Sequence, residues 1–256
     1  MKKDVAIIIP TMDNRTYLAP CLNSLLNFTD GANSYVYVVN NGAPDSCDWI
    51  DIPGVDVLQP GCNLGWERAL QCALDFSDLP FALFLNDDTL FLPRQSEWLM
   101  NLVSDLDDPT VGAAGPSSNM VAGPQSTTQQ LPESRYLARY LIGFCLLVRR
   151  SALYQIGGID TTLPGGDDID LSIRLRQTGY KLICDRRSFV YHYGFRTGER
   201  VHGKPDQPWG WNSPAMIGAT ANALIAKHGQ QAFNEAWRND PLAVYEGEKQ
   251  CAQSSS

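Results

Sequence analysis

Residues 81–89 read Phe81-Ala82-Leu83-Phe84-Leu85-Asn86-Asp87-Asp88-Thr89. Five apolar residues cut short by three polar ones have the length and composition of a strand buried on both faces. The two adjacent carboxylates at its end make either an ordinary turn with an Asx cap or a divalent-cation site. Carboxylate oxygens suit Mg2+ or Mn2+, which keep waters and also accept substrate phosphates.

Working outward, Val5 to Ile9 is a second β-branched run, ended by Pro10. Tyr35 to Val39 is a third, stopped by Asn40-Asn41-Gly42, and Val55 to Leu58 is a short fourth. Between them apolar residues recur at helical spacing: Leu18, Leu22, Leu25 and Leu26, then Ala69, Leu70, Ala73 and Leu74 within Leu64 to Phe76. Trp98, Leu99, Leu102, Val103 and Leu106 mark another helix. This βαβα order predicts an α/β fold with a mostly parallel central sheet and helices on both faces. Such sheets bind ligands beyond the carboxyl ends of their strands. The polar clusters Thr11 to Arg15, Asn40-Asn41 and Asn86 to Asp88 therefore converge on one rim.

The second half is less regular. Ser117 to Glu133 is rich in Ser, Gly, Pro, Gln and Thr and reads as a long loop. Gly143 to Val148 is apolar, and Asp168 to Thr178 reads as a helix with Leu171 and Leu175 on one face. Lys181 to Asp185 and Ser188 to His192 read as short strands, and Tyr193 to Pro214 as a second long loop. Ala215 to His228 and Gln231 to Trp237 read as helices. No repeat or linker divides the chain. The expectation is one domain over 1–240, its two halves meeting at about residues 115–116, with a C-terminal tail over 241–256.

Gly165-Gly166-Asp167-Asp168-Ile169-Asp170 crowds three acids around a helix start. Asp170 pairs with Arg174 four residues on. One acid suffices for an N-cap, so Asp167 and Asp168 leave a carboxylate for general-base work, and two glycines let a substrate approach the backbone. If these acids share a rim with Asp87 and Asp88, each like pair at ~4 Å costs about 4 kcal/mol at an effective dielectric near 20. A bound cation offsets that cost. His192, just past the apolar Phe189-Val190-Tyr191, is either structural or a metal ligand. Arg196, Arg200, His202 and Lys204 form either a solvated loop or a lid over a diphosphate. Trp209 and Trp211 are either core anchors or a sugar-stacking platform.

Composition narrows the field. The 256 residues are 44% hydrophobic and 19% charged, so the chain is globular and large enough to need no disulfide or metal staple. Twenty basic against 28 acidic residues, net charge -8, argue against a nucleic-acid or anionic-membrane partner. No apolar run reaches the ~18–20 residues of a membrane helix, and the N-terminus lacks a secretory signal. Seven cysteines without a CxxC pair read as reduced thiols in a cytoplasmic chain. Oligomeric state is not legible.

Ile7-Ile8-Ile9-Pro10-Thr11, Asn40-Asn41-Gly42, Asn63-Leu64-Gly65, Leu85 to Thr89, Gly157-Gly158-Ile159-Asp160 and Gly166 to Leu171 occur in the order found in family 2 glycosyltransferases of the GT-A fold, which the chain resembles over roughly residues 4 to 195. Arg174-Leu175-Arg176, Gly179-Tyr180 and Val190-Tyr191-His192 continue the pattern. The resemblance implies a metal-dependent, inverting transfer of a sugar from a nucleoside-diphosphate sugar to an acceptor hydroxyl on a glycan, a lipid-linked glycan or another molecule, with Mn2+ or Mg2+ as cofactor. Asn86, Asp87 and Asp88 would occupy the DxD position, with Asp88 and His192 on the metal and Asp87 near the ribose or the metal. Pro10, Thr11, Asn14, Arg15, Asn40, Asn63, Gly65 and Arg68 would bind the donor. Arg196, Arg200 and His202 would cover its diphosphate. Asp168 would be the general base, and Asp167, Trp209 and Trp211 would face the acceptor. Asn40 stands where the family often has aspartate, Asn86 replaces the first acid of DxD, and Asp167 stands for glutamate. Two other readings are a nucleotidyltransferase, disfavoured because Thr11 to Arg15 lacks glycine, and a catalytically silent sugar-nucleotide or glycan-binding module, disfavoured by the acids at 88 and 168.

Overall fold

Alternation along the first strand sets the layers. In the computed structural model, which describes residues 4–194, 196–207 and 212–247, Val5, Ile7 and Ile9 join one core cluster while Ala6 and Ile8 join another on the opposite face. Successive strand side chains point to opposite faces, so an uninterrupted apolar run needs cover on both.

The elements run β1 (Asp4–Thr11), α1 (Arg15–Asn27), β2 (Asn33–Asn40), β3 (Val55–Leu58), α2 (Gly65–Phe76), β4 (Phe81–Leu85), β5 (Thr89–Leu90), α3 (Trp98–Asp105), β6 (Val111–Ser117), β7 (Arg135–Leu137), β8 (Cys145–Arg149), α4 (Arg150–Gln155), α5 (Asp167–Gln177), β9 (Lys181–Phe189), β10 (Tyr191–His192), α6 (Arg196–His202), α7 (Pro214–His228), α8 (Gln230–Ala236) and β11 (Ala243–Val244). Nine strands form one sheet in the order β11-β7-β9-β6-β8-β4-β1-β2-β3. Seven of these nine run the same way; β7 and β8 are reversed. Helices α1 and α3 cover one face, and α2, α4 and α5 the other. A third cluster, Tyr140, Ile169, Ile173, Leu224 and Ala236, docks α7 and α8 onto α5. This is the α/β architecture expected.

The structure departs from the sequence reading in the second half. Strand β6 passes unread because Val111-Gly112-Ala113-Ala114-Gly115-Pro116-Ser117 has little β-propensity. Its small residues are needed: a Cβ at Gly112 would lie 2.8 Å from Tyr180, and one at Gly115 would lie 2.7 Å from the Gln125 amide. The Ser117 to Glu133 excursion is irregular as expected, but it is tied down. The Arg186 guanidinium donates to the carbonyls of Pro124, Ser126 and Gln129. Lys181 to Phe189 is one continuous strand rather than part of two. The segment read as a loop from Tyr193 contains helix α6. That helix lacks an apolar stripe and is anchored by polar contacts instead, so periodicity does not reveal it. The presumed tail also contributes structure: Ala243–Val244 pairs with β7, and Tyr245 is buried, donating to Asp108 Oδ2 at 2.6 Å.

Candidate active site

The turn after β4 is built by backbone continuity. The Asn86 N–H donates to the Phe144 carbonyl at 2.8 Å, extending the β4–β8 ladder by one bond. The Thr89 hydroxyl then donates back to the Asn86 carbonyl at 3.0 Å and closes the turn. Thr89 and Leu90 leave the main sheet and pair with His192 and Tyr191 as a separate antiparallel ribbon. This ribbon brings a histidine more than a hundred residues distant beside Asp88.

His192 Nε2 lies 3.1 Å from Asp88 Oδ1 and 3.1 Å from Asn86 Nδ2. Its Nδ1 is 3.0 Å from the Met120 carbonyl, which can only accept, so Nδ1 carries a proton and Nε2 is the nitrogen that faces the carboxylate. The imidazole stacks on Phe144 with centroids 5.1 Å apart. Asp87 accepts from the Thr11 hydroxyl at 2.7 Å, linking the ends of β4 and β1. Both Asp87 and Asp88 are buried.

Across the same cavity lies the start of α5. Gly166 adopts φ 73°, and a Cβ there would lie 2.8 Å from Thr220 on α7. The glycine thus serves the close packing of α7 and also lines the cavity. Asp168 Oδ2 accepts from the Gly143 N–H at 3.1 Å, and Oδ1 accepts from the Ile169 N–H at 2.8 Å. Asp167 Oδ2 accepts from the Trp66 indole N–H at 3.1 Å. Both carboxylates are partly buried by area and surrounded by protein. Burial raises the pKa of each above the usual carboxylate range, and Asp168 and then Glu67 push Asp167 further. Glu67 is likewise raised, chiefly by burial. Asp170, one turn on, is fully buried and salt-bridged to Arg174 at 2.6 Å, as its spacing predicts.

Asp87, Asp88, Glu67, Asp167 and Asp168 line one cavity of about 490 Å3 together with His192, Arg196 and His202. The two acid clusters read from the sequence therefore do share a rim. Among the described residues no three His, Cys, Asp or Glu side chains converge to hold a metal by themselves. Asp88 and His192 together offer the carboxylate oxygen and imidazole nitrogen that a Mn2+ or Mg2+ ion accepts. The Nδ1 bond to Met120 is the outer-sphere support typical of a ligating histidine. The donor set fits such an ion, with its remaining positions left for water and phosphate oxygens.

The sequence profile described as glycosyl transferase family 2 matches residues 6–157, more than half of the chain. The chain belongs to that family. A pre-mycofactocin glycosyltransferase of Mycobacterium tuberculosis is 27% identical over 209 residues, 74% of this chain and 43% of that protein. The chain thus spans less than half of that relative's length. Among solved structures, S. aureus TarS 1-349 in complex with UDP-GlcNAc superposes with a TM-score of 0.65 at 17% identity, covering 91% of this chain and 71% of that one. A mannosyltransferase from Pyrobaculum calidifontis in complex with GDP-Man and Mn2+ gives 0.61 at 19% identity, covering 91% and 72%. At these identities the structures establish the GT-A fold alone.

Within this family 2 fold, Pro10, Thr11, Asn63, Gly65, Asn86, Asp87, Asp88, Asp167, Asp168, His192, Arg196 and His202 all line the cavity. Five other residues named from sequence do not. Asn40 has a saturated side chain: Nδ2 donates to Ala43 and Gln59, while Oδ1 accepts from the Gly42 N–H and the Ser46 hydroxyl. It shapes the turn after β2. Asn14 starts α1, its carbonyl accepting from Tyr17 and Leu18. Arg15 lies over the Trp49 ring at 5.0 Å, and Arg68 is exposed on α2. Arg200 donates to the Asp13 carbonyl at 2.7 Å, which ties α6 to the β1 rim. Trp209 and Trp211 lie outside the described residues. Arg196 lies beside Asp88, its backbone N–H 3.4 Å from Asp88 Oδ2 and its guanidinium over Tyr17 of α1.

Sequence reasoning missed several contributors. Asn41 accepts from the Leu64 N–H and donates to the Gly65 carbonyl, which holds the Asn63-Leu64-Gly65 loop against β2. Trp66 reaches Asp167 from the first turn of α2, and Glu67 lies beside it. Phe144 supports His192, and Asn119 brackets the backbone N–H and C=O of His192. The position of Trp66 next to Gly65 and that of Asn41 in the Asn40-Asn41 rim cluster signalled site residues; the others read as core or loop.

Proposed function

We propose that this chain transfers a sugar, with inversion at the anomeric carbon, from a nucleoside-diphosphate sugar to an acceptor hydroxyl. The observation that carries the reading is the pairing, in one cavity, of the Asp88–His192 couple with a separate carboxylate, Asp168. A divalent cation held by Asp88 and His192 would neutralise the charge growing on the leaving diphosphate. Thr11 fixes Asp87, Asn63 and Gly65 shape the donor side, and Arg196 borders Asp88 through its backbone N–H. On the other side Asp168 accepts the proton of the attacking hydroxyl. Its raised pKa makes it a better base than an ordinary aspartate, while the Gly143 and Ile169 N–H groups keep it oriented and ionisable. Asp167, held by Trp66, faces the acceptor. An uncatalysed binding module has no use for a desolvated carboxylate opposite a metal-ligand pair.

The test is Asp168→Asn. The amide keeps the shape but cannot take a proton, so turnover should fall by about 10²–10⁴-fold. Binding of the nucleoside diphosphate with Mn2+, read by calorimetry, should persist. Near-normal turnover in this variant would remove Asp168 from the base role, and release of pyrophosphate instead of nucleoside diphosphate would make the enzyme a nucleotidyltransferase.

A further inference from the structure

The ring nitrogen that faces Asp88 also faces an amide. His192 Nε2 lies 3.1 Å from Asp88 Oδ1 and 3.1 Å from Asn86 Nδ2. A histidine binds a cation in its neutral form, and with the proton on Nδ1 that form has a single lone pair, on Nε2. Asp88 as a carboxylate has no hydrogen to give, whereas the Asn86 amide has. In the cation-binding form of His192 the amide therefore donates to Nε2. It takes up the same lone pair that a cation needs, and one lone pair cannot serve both.

The surroundings fix the ring and leave the amide able to turn. His192 is held by Met120 at Nδ1, by the stacked ring of Phe144 and by Asn119 at its main-chain N–H and C=O. The Asn86 main chain is equally fixed, with its N–H on the Phe144 carbonyl at 2.8 Å and its C=O accepting from the Thr89 hydroxyl at 3.0 Å. Its side chain is not: among the described residues the contact with His192 is its one hydrogen bond, and it lines the open cavity of about 490 Å3. We infer that the Asn86 amide is a displaceable occupant of the cation site, capping His192 Nε2 until a cation arrives and then turning into the cavity. The inference rests on the Asp88–His192 cation site of the reading above and makes Asn86 a positioning residue that weakens the protein's own hold on the ion. Oxygens of a nucleoside diphosphate then supply the remainder of that hold.

The experiment titrates Mn2+ alone into the whole chain, without nucleotide, and reads the free ion by electron paramagnetic resonance. Asn86→Ala should tighten Mn2+ binding by about two- to tenfold, the worth of one neutral hydrogen bond. Asn86→Leu, which keeps the bulk of the side chain, should tighten it likewise, so a folding fault in one variant does not decide the matter. Both substitutions touch only the side chain and leave the main-chain bonds of the turn available. In a His192→Ala background the same Asn86→Ala exchange should leave the Mn2+ Kd where it is, because the amide acts only through Nε2. Unchanged or weaker Mn2+ binding in both Asn86 variants would overturn the inference, as would an equal effect with and without His192. Either result keeps Asp88 and His192 as the cation site. A Kd that is the same in the unaltered chain and in His192→Ala alone discards that site, and the inference with it.

Discussion

His192 has each of its polar groups occupied: Nδ1 on Met120, Nε2 on Asn86 and Asp88, and the main-chain N–H and C=O on Asn119. The Met120, Phe144 and Asn119 contacts keep the ring in place while a cation at Nε2 would take over from the Asn86 amide, so Asp88 becomes the sensitive partner. Asp88→Ala removes one of the two proposed protein ligands while leaving the Met120 and Phe144 contacts of His192 in place. A nucleoside diphosphate at 100 times its Kd should stabilise the unaltered protein by about 2.7 kcal/mol. In Asp88→Ala the Mn2+-dependent share of that thermal shift should vanish, and EDTA should then make no difference. An undiminished Mn2+ response in the variant would move the cation elsewhere. At this scale the polar residues at strand ends were legible in the sequence, because clustered carboxylates after an apolar strand have few structural uses. Asn40 shows the limit of that reasoning. Its position marks the rim, but its four hydrogen bonds are made within the protein, and no motif records how a side chain spends its donors and acceptors.

Elements were legible where burial imposes a period. Strands β1, β2 and β4 and helices α1, α2 and α3 follow their apolar spacing, and that half of the sheet is parallel throughout. Strand β6, with two glycines and a proline, and helix α6, held by Arg196 and Arg200, are stabilised by contacts remote in sequence, so local pattern misses them. The joint between α5 and α7 is of this second kind. Asp170 is fully buried and accepts from Arg174, from Lys227 at 2.6 Å and from His228 at 2.7 Å. Lys227 also reaches Asp160 at 2.6 Å, anchoring the loop that leads to Gly165-Gly166. Burial alone would raise the pKa of Asp170, but the hydrogen bonds from Lys227 and Arg174 outweigh it and hold the carboxylate below its ordinary range. A depressed carboxylate contributes stability above its unfolded pKa of about 4 and loses it as pH falls through the folded value. Asp170→Asn should therefore destabilise the protein by about 3 kcal/mol at pH 7, the low end for a broken buried pair because Lys227 is partly exposed. Urea midpoints should show that gap closing below about pH 4. A gap independent of pH would mean that packing, not charge, holds α7.

For the molecule as a whole, carboxylates held in ion pairs and carboxylates buried away from water pull stability in opposite directions with pH. Asp108, Asp160 and Asp170 are held low, so their contribution requires pH above about 4. Asp105, at the end of α3 behind the sheet, is the opposite case. It is 1% exposed, its Oδ2 has no hydrogen-bond partner, and Oδ1 is 3.4 Å from Arg135 and 3.6 Å from Arg187. Burial and then the charge of Asp185, itself paired with Arg187 at 2.6 Å, raise its pKa to about 8 against the two arginines. Between its ordinary value of 3.8 and about 8, the folded state binds a proton that the unfolded chain has released. Stability therefore falls as pH rises through that window, by at most about 1.4 kcal/mol per pH unit from this group. Asp167 and Asp168, also raised, add to the same slope. The maximum of stability should thus lie on the acid side of neutrality, above about pH 4. Asp105→Asn keeps the size and one acceptor oxygen but has no proton to lose. Its urea midpoint should decline less than that of the unaltered protein between pH 5 and 8.5, with the two curves meeting at the acid end. Parallel curves over that range would show that Asp105 stays ionised throughout, with Arg135 and Arg187 compensating its burial in full.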